Sequence, residues 1–216
     1  MPEPITEQAE RVLTLWQGSW IAAFAVGFVV WGLILWSVIF HRKRSEALPP
    51  QVRYNLPIEV LYTAVPFVII AVLFYFTARD QNYLNEFSDD PDVRVNVVAF
   101  QWSWQFDYPQ HGVSVVGIPG QDPTLVIPEG QSVRFHMTSP DVIHSFWVPA
   151  FLFKRDVIPG RPNDFEITPT KRGTFRGRCA ELCGVDHSRM LFKVKVVSPA
   201  EYDKFIADQK AAGSAQ

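Results

Sequence analysis

The sequence predicts a two-helix transmembrane hairpin followed by an all-β domain of the sandwich or barrel class. Two observations carry this: a pair of long apolar runs fills the first third of the chain, and short strand-like runs between Gly, Pro and Asp signals fill most of the rest. A third agrees with them. The 216 residues are 48% apolar, yet the mean hydropathy is only +0.03, as expected when a membrane part and a water-soluble part are averaged together.

From Ser19 to Phe40 the chain runs for 22 residues without a charge, enough at ~1.5 Å per residue to cross a hydrocarbon core of roughly 30 Å. Trp16 and Trp20 flank one end and Trp36 the other, where indole rings favour the interface. A secretory leader would need a basic start and a shorter apolar run, whereas residues 1–17 carry Glu3, Glu7 and Glu10 against Arg11. The next loop holds Arg42, Lys43, Arg44 and Arg53 against Glu46, which places it on the cytoplasmic side. A second run, Val60 to Phe76, extends to Ala78 and completes the hairpin, with Pro66 expected to kink it. The N-terminus and everything beyond Arg79 then lie outside. A hairpin this small forms no pore alone and calls for a larger membrane partner. Glu59, at the cytoplasmic start of the second helix, reads either as a solvated interfacial carboxylate or as a proton-accepting group.

From Val93 onward, eight or nine short apolar or alternating runs follow one another between Gly, Pro and Asp signals, with the alternation clear in Ser132 to Thr138, and predict an antiparallel sandwich or barrel. Met137 then belongs to the core and His136 to the exposed face; His111 and His41 have no ligand-like neighbours. Residues 199–212 read as a short helix, with a frayed tail after it. The full division is 1–17 external segment, 18–40 first span, 41–56 cytoplasmic loop, 57–78 second span, 79–92 linker, 93–198 β domain and 199–216 terminal helix and tail. A net charge of −2 and a pI near 6.2 leave no basic footprint for nucleic acid.

The chemistry concentrates in RCAELCGVDHSRM, which sets Cys179, Cys183, His187 and Met190 in one inter-strand loop. Thiolate, imidazole and thioether together select copper over hard cations. Zinc competes, although thioether is a poor zinc ligand, and so does a local disulfide between the only two cysteines. A mononuclear blue-copper site needs one cysteine; the second gives two sulfurs able to bridge two copper ions, and His144 in DVIHSFWVP is the best source of a second imidazole.

CAELCGVDHSRM resembles the copper loop of subunit II of haem-copper oxidases, the family with the dinuclear site called CuA. AFQWSWQFDY, DVIHSFWVP, KRDVIPGR and IEVLYTAVPFVII match other family motifs in order, so the resemblance covers nearly the whole chain. It implies a cupredoxin-like Greek-key fold for the β domain. It further implies Cys179 and Cys183 as bridging thiolates, His144 and His187 as terminal imidazoles, and Met190 with the Glu181 backbone carbonyl as weak ligands. The Glu181 side chain would help hold a magnesium ion shared with the catalytic subunit, with Asp156 nearby. Trp102 resembles the tryptophan that receives the electron from cytochrome c, Glu59 the carboxylate at a proton-uptake path, and Asp107 and Asp141 carboxylates that dock the donor.

The implied protein is the electron-accepting subunit of a proton-pumping cytochrome c oxidase in a bacterial cell membrane, with its N-terminus and copper domain on the periplasmic side. Its partners would be subunit I, further oxidase subunits, membrane lipid, and cytochrome c or a complex-bound cytochrome donor. Departures from the family, Ser103 between the paired tryptophans and Asp186 and Arg189 in the loop, fall where a donor would dock. Other readings are a quinol oxidase subunit II, which would lack the copper ligands, a membrane-tethered copper carrier or assembly factor, and a structural sandwich closed by a disulfide.

Overall fold

A computed structural model describes residues 1–118 and 120–213. It has a unit of two helices, 14–81, and a β unit that comprises 1–13 and 82 onward.

Helix α1 spans Glu7–Phe40 and α2 spans Leu56–Leu84. Both are long and apolar enough to cross a membrane. Helix α1 starts well before its charge-free run because Thr6 caps it: Thr6 Oγ1 accepts from Ala9 N at 3.0 Å, with Glu7 and Glu10 in the first turn. At the start of α2, Glu59 Oε1 accepts from Asn55 N at 2.9 Å, a reciprocal cap. Pro66 lies inside α2 without ending it.

Among the described residues the β unit has ten strands: β1 Val93–Phe100, β2 Ser103–Tyr108, β3 Val113–Val116, β4 Thr124–Pro128, β5 Val133–Thr138, β6 His144–Val148, β7 Phe153–Val157, β8 Asn163–Ile167, β9 Gly173–Cys179 and β10 Leu191–Val197. They form two five-stranded sheets, ordered β3-β2-β1-β5-β8 and β4-β10-β9-β6-β7. The expectation of a purely antiparallel sandwich is corrected here. β1 runs parallel to β5 and β10 parallel to β4, because the chain crosses between sheets and returns in the same direction. β7 was not expected as a strand: Phe-Lys-Arg-Asp-Val does not alternate cleanly, and its pairing with β6 holds it.

Alternation builds the core. Val93, Val95, Val97 and Ala99 of β1 and Val133, Phe135 and Met137 of β5 are buried. Phe135 stacks on Phe165 at 4.6 Å and Phe146 on Phe192 at 4.7 Å between ring centroids, so the two sheets interdigitate through aromatics. Gly177 is required beneath Phe192, since a Cβ there would lie 2.2 Å from the ring. His136 is on the outward face, its Nδ1 2.8 Å from Asp164.

The N-terminal segment is strapped to the same sandwich. Ile5 N donates to Ala150 O, Glu7 N to Thr168 O and Thr170 N to Ile5 O, while Ile5 and Ala9 are buried. If both helices cross one membrane, the N-terminus and the sandwich must share a side of it. Helix α3, Pro199–Gly213, opens with a capping box in which Ser198 and Glu201 exchange bonds, and Pro199 takes the first turn. The tail expected beyond it falls at 214–216, outside the described residues.

Candidate metal centre

Strand β9 ends on Cys179, and the connection to β10 carries Cys183, His187 and Met190. Its neck is closed by Cys179 N donating to Met190 O at 3.0 Å. On the other flank of β9, Phe146 of β6 pairs with Cys179 and Ala180 N donates to Ser145 O. That register sets His144, the first residue of β6, beside the first cysteine.

The five expected side chains meet. Ligand atoms of His144, Cys179 and Cys183 lie within 4.8 Å of one another. His144 Nδ1 is 3.9 Å from Cys179 Sγ, His187 Nδ1 is 3.5 Å from Cys183 Sγ, and Met190 Sδ is 3.8 Å from Cys183 Sγ. The carbonyl oxygen of Glu181 is 3.3 Å from Cys179 Sγ. Each thiol thus has one imidazole and one weak donor beside it. The thiols are free and 3.8 Å apart, far beyond the roughly 2.05 Å of a disulfide. They are also closer than twice a metal–sulfur bond of about 2.3 Å, so one ion can touch both. Two such sulfurs, each with its own imidazole, fit a thiolate-bridged pair of soft cations better than a single tetrahedral ion, which would leave donors unused.

The electrostatics are asymmetric. Burial pushes the Cys179 thiol up, but the His144 hydrogen bond and nearby backbone groups outweigh it and bring it down to about 6. Burial and the Cys179 charge push Cys183 up to about 12. Of the two thiols Cys179 is thus the more acidic and Cys183 the less acidic. His144, fully buried, donates from Nε2 to Asp141 Oδ1 at 2.8 Å. Burial works against the imidazolium, yet the bonds to Cys179 and Asp141 raise its pKa; burial likewise pushes Asp141 up, but its hydrogen bonds from His144, Val142 N, Gln101 N and Ser139 together outweigh that and lower it. The Asp141 bond fixes the tautomer that leaves Nδ1 free to ligate.

Trp102, partly buried in the β1–β2 turn, donates from Nε1 to the carbonyl of Cys183 at 3.0 Å. Trp104 packs beneath the site, its Nε1 3.4 Å from Met190 O. The Glu181 side chain turns away from the thiols and meets Lys154 Nζ at 2.6 Å; Asp156, on β7, reaches the same ammonium at 3.2 Å. Asp107 accepts from Gln105 and Ser114. Asp141 accepts from His144, Val142 N and Gln101 N, so both expected docking carboxylates are engaged in local hydrogen bonds. Glu59 lies in the helical unit, at its cap.

Sequence reasoning missed Lys154, the inward role of Asp141 and the contact of Gln101, whose Nε2 also donates to Cys183 O. The Asp-Val-Ile-His spacing was the available signal for Asp141; nothing in the sequence marked the other two.

Residues 115–197 match the family described as cytochrome c oxidase subunit II, periplasmic domain. A probable cytochrome c oxidase subunit 2 from Streptomyces avermitilis is 52% identical, over 99% of this chain and 79% of that protein. The chain belongs to the cytochrome c oxidase subunit 2 family. Cytochrome c oxidase subunit 2 of Mycobacterium tuberculosis H37Rv is 38% identical, over 95% and 73% of the two chains. The crystal structure of the periplasmic domain of subunit II of cytochrome oxidase from Bradyrhizobium japonicum matches with a TM-score of 0.55 and 32% identity, over 58% of this chain and 99% of that one. The β unit therefore has the cupredoxin-like fold of subunit II, and the two apolar helices fit a membrane subunit. Membership makes the chain part of an oxidoreductase of respiratory electron transport, works it alongside other oxidase subunits, and makes copper the expected metal of the family.

Proposed function

We propose that this chain accepts electrons from cytochrome c at a dinuclear copper site of the CuA type and passes them to a haem in the catalytic subunit of a proton-pumping terminal oxidase, where oxygen is reduced to water. The observation that carries this is the convergence of His144, Cys179 and Cys183 within 4.8 Å, with His187 and Met190 beside the second thiol. Cys179 and Cys183 would bridge, His144 and His187 would ligate through Nδ1, and Met190 Sδ and Glu181 O would be the weak donors. Copper bound there supplies a one-electron relay whose charge change is spread over two ions.

The protein's own groups do the rest. The sandwich buries both thiols and His144 away from water, Asp141 orients the His144 ring, and Trp102 joins the Cys183 carbonyl to the outer face as the point where the electron arrives. That bond also favours a relay over a copper carrier, which has no use for an indole wired to its ligand loop. The approach of Glu181 and Asp156 to one Lys154 ammonium supports a cation position there, which magnesium would fill with the catalytic subunit. Glu59 would serve proton uptake from the cytoplasmic face, and Asp107 and Asp141 would contribute negative potential toward a basic donor. The loop carrying Arg42, Lys43, Arg44 and Arg53 supports a cytoplasmic loop and a periplasmic copper domain in a bacterial cell membrane.

Replacing Trp102 in the purified oxidase tests the assignment. Trp102→Phe removes the N–H and shortens the ring, and should slow reduction by cytochrome c in stopped flow by at least about tenfold with copper content unchanged. A wild-type rate would overturn the role of Trp102 as the receiving residue.

A further inference from the structure

We propose that Gln101 is a positioning residue that holds the Cys183–Gly184 peptide against Trp102 and thereby sets the geometry through which the electron arrives; this rests on the relay reading above. The Cys183 carbonyl accepts two hydrogen bonds at once, from Gln101 Nε2 at 2.8 Å and from Trp102 Nε1 at 3.0 Å. Both donors come from consecutive residues of the β1–β2 turn, and the acceptor belongs to one of the two thiol-bearing residues. Gly184 is what allows so close an approach. Its φ is +118°, and a Cβ on it would lie 3.0 Å from Trp102 Cζ2 and 3.2 Å from Gln101 Nε2. The turn and the loop are therefore in contact at one peptide, with both side chains laid across it.

Gln101 also touches the other half of the site. Its backbone N–H donates to Asp141 Oδ2 at 2.7 Å, and the other oxygen of that carboxylate accepts from His144 Nε2 at 2.8 Å. One residue thus spans from the β6 histidine, through Asp141, to the loop carbonyl of the second cysteine. A carbonyl oxygen has two lone pairs, and here both are used. Without the Gln101 amide, the indole is the one side chain among the described residues still bonded to this carbonyl, and the ring and the loop can rock about a single bond. The effect falls on Trp102 rather than on the ligands, because the ligand side chains keep their contacts with one another, His144 with Cys179 and Met190 with Cys183, and the loop neck stays closed by Cys179 N to Met190 O and Ala180 N to Ser145 O.

The test uses the intact purified oxidase with Gln101→Leu, Trp102→Phe and the double variant. Gln101→Leu should slow electron uptake from reduced cytochrome c about fivefold, the kinetic equivalent of one neutral hydrogen bond. The KM for the donor, the copper content and the paramagnetic resonance spectrum should stay as in the wild type. Added to Trp102→Phe, it should slow uptake no further, since it acts through the indole. An unchanged rate, additive slowing in the double variant, or an altered copper spectrum would each overturn the positioning role. If Gln101→Leu does not assemble, Gln101→Glu, of equal size but with an acceptor facing the carbonyl, is measured in the same way; failure of both to assemble would make Gln101 a folding residue and overturn the proposal. The two readings separate cleanly. Normal uptake in Trp102→Phe sinks the relay through Trp102, whereas slow uptake there with normal uptake in Gln101→Leu sinks only the role of Gln101.

Discussion

The hairpin and the sandwich use the same apolar residue types and treat them in opposite ways. In α1, Phe28 is 82% exposed and Trp31 66%, whereas Phe106 and Phe135 of the sandwich are fully buried. The sandwich satisfies the hydrophobic effect within itself, sheet against sheet. The hairpin leaves its apolar side chains exposed, as suits a pair of helices long and apolar enough to cross a membrane. The candidate redox chemistry follows the same division: every candidate copper ligand lies in the self-sufficient unit, at the end of a strand or in the connection between β9 and β10, and the hairpin offers one candidate functional group, Glu59, at a helix cap.

The contrast can be broken most directly by removing a bridging ligand. Cys183→Ser should lower the copper content from two ions to one at most and abolish cytochrome c oxidation while the chain still inserts in the membrane; two coppers with an unchanged paramagnetic resonance spectrum would show that the second thiol is not a ligand. Next in size is the core. Phe146→Ala should destabilise the sandwich by about 3–5 kcal/mol, whereas Phe28→Ala on α1 should leave its thermal unfolding within about 0.5 kcal/mol. Equal effects would mean that the hairpin helps to build the sandwich core.

The thiols add a pH dependence. Between about 6 and about 12 Cys179 is ionised and Cys183 is protonated, so metal binding displaces the Cys183 proton. Copper affinity should rise about tenfold per pH unit through most of that window and more steeply at its acid end, where first His144, its pKa raised, and then Cys179 must also lose a proton. A pH-independent affinity from competition titration would contradict the bridging-thiolate account. Smallest is Glu59→Gln, expected to slow proton uptake severalfold without altering the copper spectrum. Normal uptake would leave Glu59 as a helix cap, the role its bond to Asn55 N already gives it.

Much of this was legible in the residues. Charge-free runs marked both helices, and short apolar or alternating runs between turn signals marked nine strands: β1 and β5 alternate because one face is core and the other is not, whereas β4 and β6 are apolar runs buried almost throughout. β7 was not legible, since a strand held by one neighbour needs no alternation of its own. Nor was the N-terminal strap, whose pairing with residues near Pro169 is non-local. At the site, the loop announced its ligands through residue type and spacing, and His144 through its setting. Lys154 between Glu181 and Asp156 depends on which side chains meet across the fold, and a single sequence does not encode that locally; the inward turn of Asp141 had only its three-residue spacing from His144 to mark it.

The most direct test is the copper content per chain, with an electron paramagnetic resonance spectrum, of residues 90–216 loaded with copper. This segment contains every candidate ligand, and the corresponding domain of the Bradyrhizobium relative was crystallised as a separate piece. Two coppers sharing one unpaired electron is the predicted result. One copper with a blue-type spectrum, or none with Cys179 joined to Cys183, would contradict the dinuclear site and the electron-relay function built on it.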